Sequence, residues 1–516
     1  VGDRSGRIPL SFSQLRLWFI DELEGSLQYH MPIVLRIDGA LDIEALSSSF
    51  KEIVNRHEVL RTVIKSEDGV AYQEVMPADG WSLEVVRLEG TTDMESLLHS
   101  YVAIPFDLSS DYMVRMCLYD PGDGSYILAG VIHHIASDGW SEDVFVQELG
   151  VLYSCYSQGR ASDLSPLSLQ YIDYALWQRQ YIEGAVLEAE LSYWQDQLAD
   201  VTPLALPTDY PRGSVRSTDG LRHEFELDRD LSASLLDVCK EEGVTLYMLL
   251  LAAFKVLMHR YSGQDDICVG TPIANRIQEE TQGMIGFFVN TLALRSDVGS
   301  VTTFQEFLQQ VKATTLAGQE HQHAPFERIV DLVVETRDMS MSPLFQVMFL
   351  LQNKMGSKDL ALDGIEISAY DEYDRGLSNF DLTLIVDEGE THISFDIEYC
   401  TALFTEATIR RMASHYKELL GSIVANRTSS IADLSIVTQQ EQQELLEVFN
   451  DTDQSYPYDK SLATLFYAQV KQTPNNTALT FEDKSYTYQE LDQASNRLSQ
   501  YLLATYDIGS EDFIGI

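Results

Sequence analysis

The sequence predicts a layered fold of mixed α-helices and β-strands, followed by a second, separate domain. Helical and strand-like periods alternate through roughly the first four hundred residues, which is typical of mixed α/β proteins. Within this part, segment 204–220 contains prolines and glycines and is expected to connect two halves. Residues 438–457 are rich in Gln, Asp and Thr, which indicates a linker, and the alternating pattern restarts near residue 462.

The charge balance excludes two classes of partner. The 516 residues include 35 Lys plus Arg against 80 Asp plus Glu, a formal net charge of -45. Such a surface repels phosphate backbones and anionic lipid, so neither nucleic-acid binding nor membrane docking is expected. An acidic excess of this kind is most often a solvated surface.

Cysteine spacing and hydropathy indicate a cytoplasmic protein. The five cysteines show no paired spacing, which argues against a disulfide framework or a zinc knuckle. The N-terminal residues lack the apolar core of a signal peptide. The most apolar run, residues 246–254, has about half the length of a membrane span and is interpreted as a core helix.

Several elements are predicted from their residue patterns. Asp42 is placed to cap a helix whose apolar residues recur every three or four positions. Residues 126–132 predict a buried strand that ends in two histidines, and a helix with acidic residues in its first turn follows from Ser141. Residues 245–261 predict an apolar helix, and residues 266–272 predict a strand.

The segment with the clearest chemical character is HHIASDGWS, residues 133–141. Neighbouring strand residues point to opposite faces, so His133 and His134 are not expected to share one metal site. One of them should pack inward while the other faces a cavity. Asp138 is placed to anchor the turn through a buried ion pair, and Gly139 opens the backbone so that amide N–H groups can point at a bound oxygen.

A histidine beside backbone donors suits acyl transfer, in which it acts as a base while the donors bind a tetrahedral oxyanion. An isolated pair of histidines is more often structural, but the pattern HHxxxDG as a whole is much more specific.

Residues 8–437 resemble a condensation domain of a nonribosomal peptide synthetase, because seven motifs follow that family's order. They are SFSQLRLW (11–18), RHEVLRT (56–62), HHIASDGWS (133–141), YIDYALW (171–177), IGFFVNTLALR (285–295), HQHAPFE (321–327) and RDMSMSPLFQ (337–346). The chain departs from the family at His323, where Asp is usual.

The resemblance implies an α/β fold of two chloramphenicol-acetyltransferase-like lobes that form a V-shaped pseudo-dimer. The lobes would comprise residues 1–180 and 181–437, with the active site in a tunnel between them. The tunnel would open at both ends to carrier domains.

The resemblance also assigns roles to the site residues. His134 matches the family's catalytic histidine, and Gly139 is expected beside it in the catalytic site. His133, Asp138 and Arg276 match positions of structural support, with Arg276 as the partner of Asp138. The residue before Arg276 is Asn275, where the family usually has glycine.

The implied reaction forms an amide bond between two thioesters. The α-amine of an acceptor aminoacyl thioester attacks a donor acyl or peptidyl thioester, and both are carried on phosphopantetheine arms. Whether His134 is a general base or a positioning group stays open. No metal and no directly bound cofactor are expected.

The last part of the chain resembles the opening of an adenylation domain. After a linker at residues 438–461, the segment 462–516 contains YTYQEL at 486–491. It has too few elements to close a core and reaches residue 516 within a predicted strand, so it is expected to be a fragment without ATP chemistry. The expected partners are an upstream donor carrier domain, a downstream acceptor carrier domain and the adjoining adenylation domain.

Three alternatives share the fold. An epimerization domain keeps HHxxxDG, but its other motifs differ. A heterocyclization domain replaces the histidines with aspartates, and His133 and His134 exclude it. A non-catalytic relative that recruits partner proteins typically loses the second histidine, which this chain keeps. The sequence does not identify the residues that are joined, although it weakly favours an L-configured donor.

Overall fold

The computed structural model describes residues 3–515 except 5, 89–92, 337, 353–364, 371–375 and 390. Arg337, the first residue of the motif RDMSMSPLFQ, therefore lies outside the described residues. The chain divides into two compact units, Val1–Thr438 and Gln439–Ile516.

Helices and strands alternate along the first unit, as the sequence predicts. Its strands are β1 (Ile8–Pro9), β2 (His30–Gly39), β3 (Thr62–Glu67), β4 (Val70–Val75), β5 (Glu84–Arg87), β6 (Val114–Asp120), β7 (Ser125–His133), β8 (Gly220–Glu226), β9 (Asp266–Ile273), β10 (Asn290–Asp297), β11 (Val347–Gln352), β12 (Ile365–Ala369), β13 (Leu382–Glu388) and β14 (Ile393–Cys400). Its helices are α1 (Phe12–Glu24), α2 (Ile43–Arg56), α3 (Met94–Val102), α4 (Gly139–Ser157), α5 (Tyr171–Tyr181), α6 (Gly184–Gln197), α7 (Arg229–Glu242), α8 (Leu246–Ser262), α9 (Glu279–Gln282), α10 (Phe304–Glu320), α11 (Phe326–Val333) and α12 (Glu406–Ala425).

Two mixed sheets organise this unit. Among the described residues, one sheet has the strand order β12-β2-β7-β6-β5 and the other β10-β9-β11-β13-β14-β8. In the first, β5 runs parallel to β6, and in the second, β11 runs parallel to both β13 and β9. Strand β12 comes late in the chain, yet it pairs antiparallel with β2. A division at residue 180 therefore leaves out one strand that the second half contributes to the first sheet.

Each sheet packs into its own hydrophobic core. The first core draws on residues from Leu10 to Tyr174, and the second draws on residues from Trp194 to Leu434. The first core also includes Met284, Ile285, Phe287 and Phe288, which come from the second half of the sequence. The chain passes from the first core to the second between α5 and α6.

The prediction that segment 204–220 connects the two halves is wrong. This segment joins α6 to β8, and its Leu204 and Leu206 are buried in the second core. Prolines and glycines indicate irregular backbone correctly, but they carry no information about which core the flanking elements join.

The predicted cap and apolar stripe of α2 and the predicted apolar helix at residues 245–261 are confirmed. Asp42 accepts a hydrogen bond from the backbone N–H of Ala45 at 3.0 Å and begins α2, whose apolar stripe is buried. Thr245 caps α8, which is buried along most of its length. A helix that is apolar on all sides belongs inside a core, as predicted.

Within the described residues, no single helix is long and apolar enough to cross a membrane. The pair α7 and α8 meets the length and composition criteria together, but it is bent by 104°.

The second unit contains a short helix, a hairpin and two longer helices. Its elements are α13 (Gln439–Gln443), a π-helical turn (Glu444–Val448), α14 (Leu462–Gln472), β15 (Thr477–Phe481), β16 (Lys484–Thr487) and α15 (Tyr488–Thr505). Neither α14 nor α15 has a buried residue. Residues 512–515 have no strand pairing, and Ile516 lies outside the described residues. The predicted strand that reaches residue 516 is therefore absent from the described residues 512–515, because apolar residues form a strand only where a partner strand takes up their backbone groups.

Candidate active site

The two histidines of the HHxxxDG motif lie where a strand changes into a turn. Strand β7 ends at His133, and His134 begins a 3-10 turn, His134–Ala136. The prediction that both residues lie on one strand is therefore wrong. His133 itself stops the strand, because its Nδ1 accepts a hydrogen bond from the backbone N–H of Ile135 at 3.1 Å. The turn still sends the two rings to different environments.

His133 is the inward-facing ring and is fully buried. Its Nδ1 accepts from Ile135, so the hydrogen lies on Nε2, which donates to Ser26 Oγ at 2.9 Å. Burial, together with His30, His134 and Arg115, holds the pKa of His133 well below its usual value near 6.5. His133 is therefore a buried, neutral residue near neutral pH.

His134 is half-buried, and its tautomer is fixed by the turn. Its Nδ1 lies 2.8 Å from the backbone carbonyl of Ser137, so Nδ1 carries a hydrogen and donates it. Nε2 is consequently the nitrogen that carries no hydrogen in the neutral ring. The Phe287 ring packs against the imidazole with a centroid distance of 4.9 Å.

Asp138 is fully buried and receives hydrogen bonds from several directions. Its Oδ1 accepts from Arg276 Nη2 at 2.9 Å and from the backbone N–H of Ser141 at 2.9 Å. Its Oδ2 accepts from the backbone N–H of Phe288 at 2.9 Å. Asp138 is thus the N-cap of α4, which begins at Gly139 and not at the predicted Ser141.

The structure contains the predicted ion pair between Asp138 and Arg276, and both side chains are almost completely buried. Arg276 also donates through Nη1 to the carbonyls of Thr281 and Met284, at 2.5 and 2.6 Å. Asn275 has φ of 52°, a left-handed conformation that glycine and asparagine tolerate best. This conformation explains why asparagine fits where the family usually has glycine.

Gly139 is exposed at the first position of α4. It does not have a positive φ, and a Cβ added there would meet no atom within 4 Å. Nothing within the described part of the protein therefore demands glycine. The position leaves room for a molecule to approach the N-terminus of α4, where first-turn N–H groups and the helix dipole favour a negatively charged oxygen.

Sequence reasoning missed several residues that hold this site together. Ser141 Oγ accepts from Arg276 Nη2 at 2.7 Å, and Tyr171 donates its phenol hydrogen to the carbonyl of Phe287 at 2.6 Å. His57 donates from Nε2 to Glu148 at 2.8 Å. All except Glu148 lie inside motifs quoted above, so the signal was present, but a motif does not give a role to each of its residues.

The described residues bring together no group of three His, Cys, Asp or Glu side chains that could hold a metal ion. All five cysteines are buried thiols without a disulfide bond.

Comparison with known sequences places the chain in a family. The sequence profile of the condensation domain matches residues 4–446. The chain therefore belongs to the condensation-domain family, the acyltransferases that form amide bonds in nonribosomal peptide synthetases.

The relatives are much longer proteins. One component of the linear gramicidin synthase of Brevibacillus parabrevis is 40% identical over 509 residues, which are 97% of this chain and 10% of that protein. Gramicidin S synthase 2 of Brevibacillus brevis is 38% identical over 496 residues, which are 96% of this chain and 11% of that protein. The chain thus spans about a tenth of the length of these relatives.

Solved structures share the fold. The X-domain in complex with OxyB from teicoplanin biosynthesis has a TM-score of 0.78 at 26% identity and matches 85% of this chain and 98% of the X-domain. A four-domain nonribosomal peptide synthetase bound to AMP and glycine has a TM-score of 0.83 at 23% identity. That similarity covers 97% of this chain and 39% of the synthetase.

Proposed function

We propose that this chain joins two carrier-bound substrates through an amide bond, with His134 and Gly139 at the reacting centre. The observation that carries the proposal is the fixed tautomer of His134, whose Nδ1 donates to Ser137 at 2.8 Å. Nε2 is then the basic nitrogen of a half-buried imidazole at the start of α4. The arrangement is supported by three buried residues, His133, Asp138 and Arg276.

The chemistry requires little activation. The donor is a thioester, and the attacking α-amine has a pKa of about 7.7–8.0 in peptides, so a useful neutral fraction exists at neutral pH. Attack produces a tetrahedral oxyanion and a protonated amine. The N-terminus of α4 at Gly139 stabilises the oxyanion, and His134 Nε2 orients the amine or takes its proton. Collapse of the oxyanion then breaks the C–S bond of the donor thioester, and the departing thiol of the donor arm carries away the proton that the amine has lost.

The carrier domains are the proposed partners. The substrates arrive on phosphopantetheine arms of an upstream donor carrier and a downstream acceptor carrier, so the chain itself binds no cofactor. The two relatives named above are roughly ten times as long as this chain, which supports delivery by neighbouring domains. We place the protein in the cytoplasm, which suits its buried free thiols.

Replacing His134 tests the proposed reaction. His134→Ala should reduce the rate of amide formation by about 10²–10⁴-fold, the usual range for general acid–base help. The matched control is His392→Ala, since His392 is exposed in the turn before β14. The measurement is mass spectrometry of the acceptor carrier after mixing with a loaded donor carrier. Unchanged product formation by His134→Ala would remove this histidine from the mechanism.

A non-catalytic recruiting role is the second candidate. The X-domain shares the fold and is described in a complex with OxyB. His134 and its fixed tautomer favour catalysis in this chain. A wild-type protein that yields no amide product with loaded carriers, yet retains a partner protein, would favour recruitment instead.

We further propose that residues 1–180 and 181–437 are the two lobes of the catalytic body, around a tunnel that contains the site. Residues 438–461 would be a linker, and 462–516 would belong to an adenylation-type domain. Two observations support this division. The first compact unit ends at Thr438, and the similarity to the four-domain synthetase extends over 97% of the chain.

A chain shortened to residues 1–438 tests the division. It should retain the full melting temperature to within about 2 °C and the full condensation rate, because α14 and α15 have no buried residues. Limited proteolysis of the whole chain should cut between residues 438 and 462 or beyond. A fall of many degrees in the melting temperature would mean that the second unit is an integrated part of the catalytic body.

A further inference from the structure

A segment of irregular backbone, residues 284–288, crosses from the second half of the sequence into the first core beside His134. We call it the strap. Four of its side chains are buried in the first core, so the strap is part of that core and not a surface loop. Its backbone polar groups are consequently inside the protein and require partners there.

Side chains from the first half of the chain accept hydrogen bonds from the start of the strap. His57 Nδ1 accepts from the N–H of Ile285 at 3.3 Å, and Ser141 Oγ accepts from the N–H of Gly286 at 3.1 Å. Gly286 is required for this path, because a Cβ there would lie 2.1 Å from the ring of Tyr171.

The next two residues are held through their carbonyl groups. Tyr171 donates to the carbonyl of Phe287 at 2.6 Å, and Asn275 Nδ2 donates to the carbonyl of Phe288 at 3.2 Å. Burial raises the pKa of the Tyr171 phenol well above its usual value, so this hydroxyl keeps the hydrogen that it donates. The N–H between these carbonyls, that of Phe288, donates to Asp138.

These hydrogen bonds hold the backbone on both sides of Phe287 and thereby place its ring. It lies 4.9 Å from the His134 ring at an interplanar angle of 57°. The hydrogen bond from Nδ1 to Ser137 fixes one edge of the imidazole, and the Phe287 ring packs against the imidazole from another direction. Two contacts on different parts of the ring therefore define the direction of Nε2.

Asn275 is a feature of this chain and not of the usual motif, which has glycine here. Glycine supplies the left-handed backbone but has no amide. Asn275 tolerates φ of 52°, and its Nδ2 donates to the Phe288 carbonyl of the strap and, at 3.3 Å, to the Tyr174 hydroxyl. It therefore adds one hydrogen bond to the strap and a second one to α5.

We infer that Asn275 and Tyr171 are positioning residues that hold the strap so that Phe287 fixes the direction of His134 Nε2. This inference rests on the proposed function of His134. Neither residue touches a reacting atom, and each acts through the backbone of Phe287 and Phe288.

The first test is kinetic. Asn275→Gly keeps the left-handed backbone and removes only the amide, and Tyr171→Phe removes only the hydroxyl. Each should lower kcat for amide formation by about 2- to 10-fold, the range for one neutral hydrogen bond, with KM for the carriers unchanged within about twofold. Asn275→Asp should lower kcat further, because its carboxylate places an acceptor against the Phe288 carbonyl.

The matched control is Tyr153→Phe. Tyr153 is buried in the same core and lies near the end of α4, several turns from Ser141. Its hydroxyl accepts a hydrogen bond from the backbone N–H of Asp42. This variant should keep the wild-type kcat. A loss of kcat in Tyr153→Phe equal to that in Tyr171→Phe would overturn the inference, because a general loosening of the core would then explain both.

The second test observes His134 directly, without catalysis. In protein labelled with ¹⁵N-histidine, the His134 signals among the eleven histidines are assigned with His134→Gln. The wild type should show the Nδ1–H tautomer at neutral pH. Asn275→Gly, Tyr171→Phe and Phe287→Ala should each add Nε2–H tautomer, while Tyr153→Phe should not. Wild-type tautomer populations in all three strap variants would overturn the inference.

The two tests separate this inference from the proposed function. If His134→Ala keeps full activity, the proposed role of His134 fails, but the tautomer measurement still decides whether the strap orients the ring. If His134→Ala is inactive and the strap variants show wild-type kcat and tautomers, the inference fails alone.

Discussion

Two buried basic side chains of this protein, Arg276 and Lys255, have opposite surroundings. Arg276, near the candidate site, donates to the carboxylate of Asp138, to Ser141 and to two backbone carbonyls. Lys255, in the middle of α8, is fully buried in the second core and donates to the hydroxyl of Ser296 at 2.7 Å. Burial lowers the pKa of Lys255 to about 7, against opposing effects of Cys268 and Asp266.

The two surroundings have opposite consequences for the charged form of the buried group. Around Arg276, a charge is matched by a carboxylate and by several acceptors, and this junction joins α4 to the strap. Around Lys255, a single hydroxyl faces an amine in an apolar core, so the protein disfavours the charged form. A buried pair is costly to break, whereas a buried unpaired amine is costly to keep.

Breaking the ion pair between Asp138 and Arg276 should have the largest effect on stability. Asp138→Ala leaves the Arg276 guanidinium buried without its carboxylate and should lower the free energy of unfolding by about 3–5 kcal/mol. Chemical denaturation measures the loss, and His134→Ala is the control, since it should change stability far less. Equal midpoints for Asp138→Ala and the wild type would mean that the ion pair does not stabilise the fold.

Replacing Lys255 should instead raise the free energy of unfolding. Lys255→Met should raise the free energy of unfolding by on the order of 3 kcal/mol below pH 7. The folded-state pKa near 7 lies below the usual value of 10.5, so the unfolded chain binds more protons between these values. Wild-type stability should therefore rise with pH across this window, and the advantage of Lys255→Met should shrink towards pH 10. Denaturation curves at pH 6 and pH 10 measure this difference, and an equal gain at both would contradict a depressed pKa.

The smallest effect should come from the hydroxyl beside the lysine. Ser296→Ala removes the hydrogen-bond partner of Lys255 and should cost about 1–2 kcal/mol. In the Lys255→Met background the same substitution should cost almost nothing, since no amine remains to be satisfied. The exposed Ser300→Ala is the control. A cost for Ser296→Ala that is the same in both backgrounds would show that the hydroxyl stabilises the fold independently of Lys255.

Local predictions succeeded where neighbours in the sequence decide the structure. The cap at Asp42 depends on a side chain and an N–H three residues later, and it was predicted. The cap at Thr245 has the same local origin, although only the apolar helix after it was predicted. The helix after the histidines was placed two residues late, because Asp138 and not a residue nearer Ser141 is its cap. The separation of His133 from His134 was expected from strand alternation but arises from a turn.

The sequence predicted which residues belong to the candidate site but not most of the contacts between them. His134, Gly139, His133, Asp138 and Arg276 were all named from the sequence, and the contact of Asp138 with Arg276 is present. Phe287 and Tyr171 were not singled out, although both lie in quoted motifs. Their importance depends on distances to residues more than a hundred positions away.

The sequence by itself determined the alternation of helices and strands, the capped start of α2, the apolar helix α8 and the identity of the HHxxxDG segment, because these depend on residues close together in the chain. Only the tertiary structure decided that β12 joins the first sheet and that residues 284–288 enter the first core. It alone placed the Phe287 ring on His134. The physical reason is that such contacts are selected by the burial of apolar surface and the pairing of polar groups between distant segments, and no local pattern of residues records which segment becomes the partner of another.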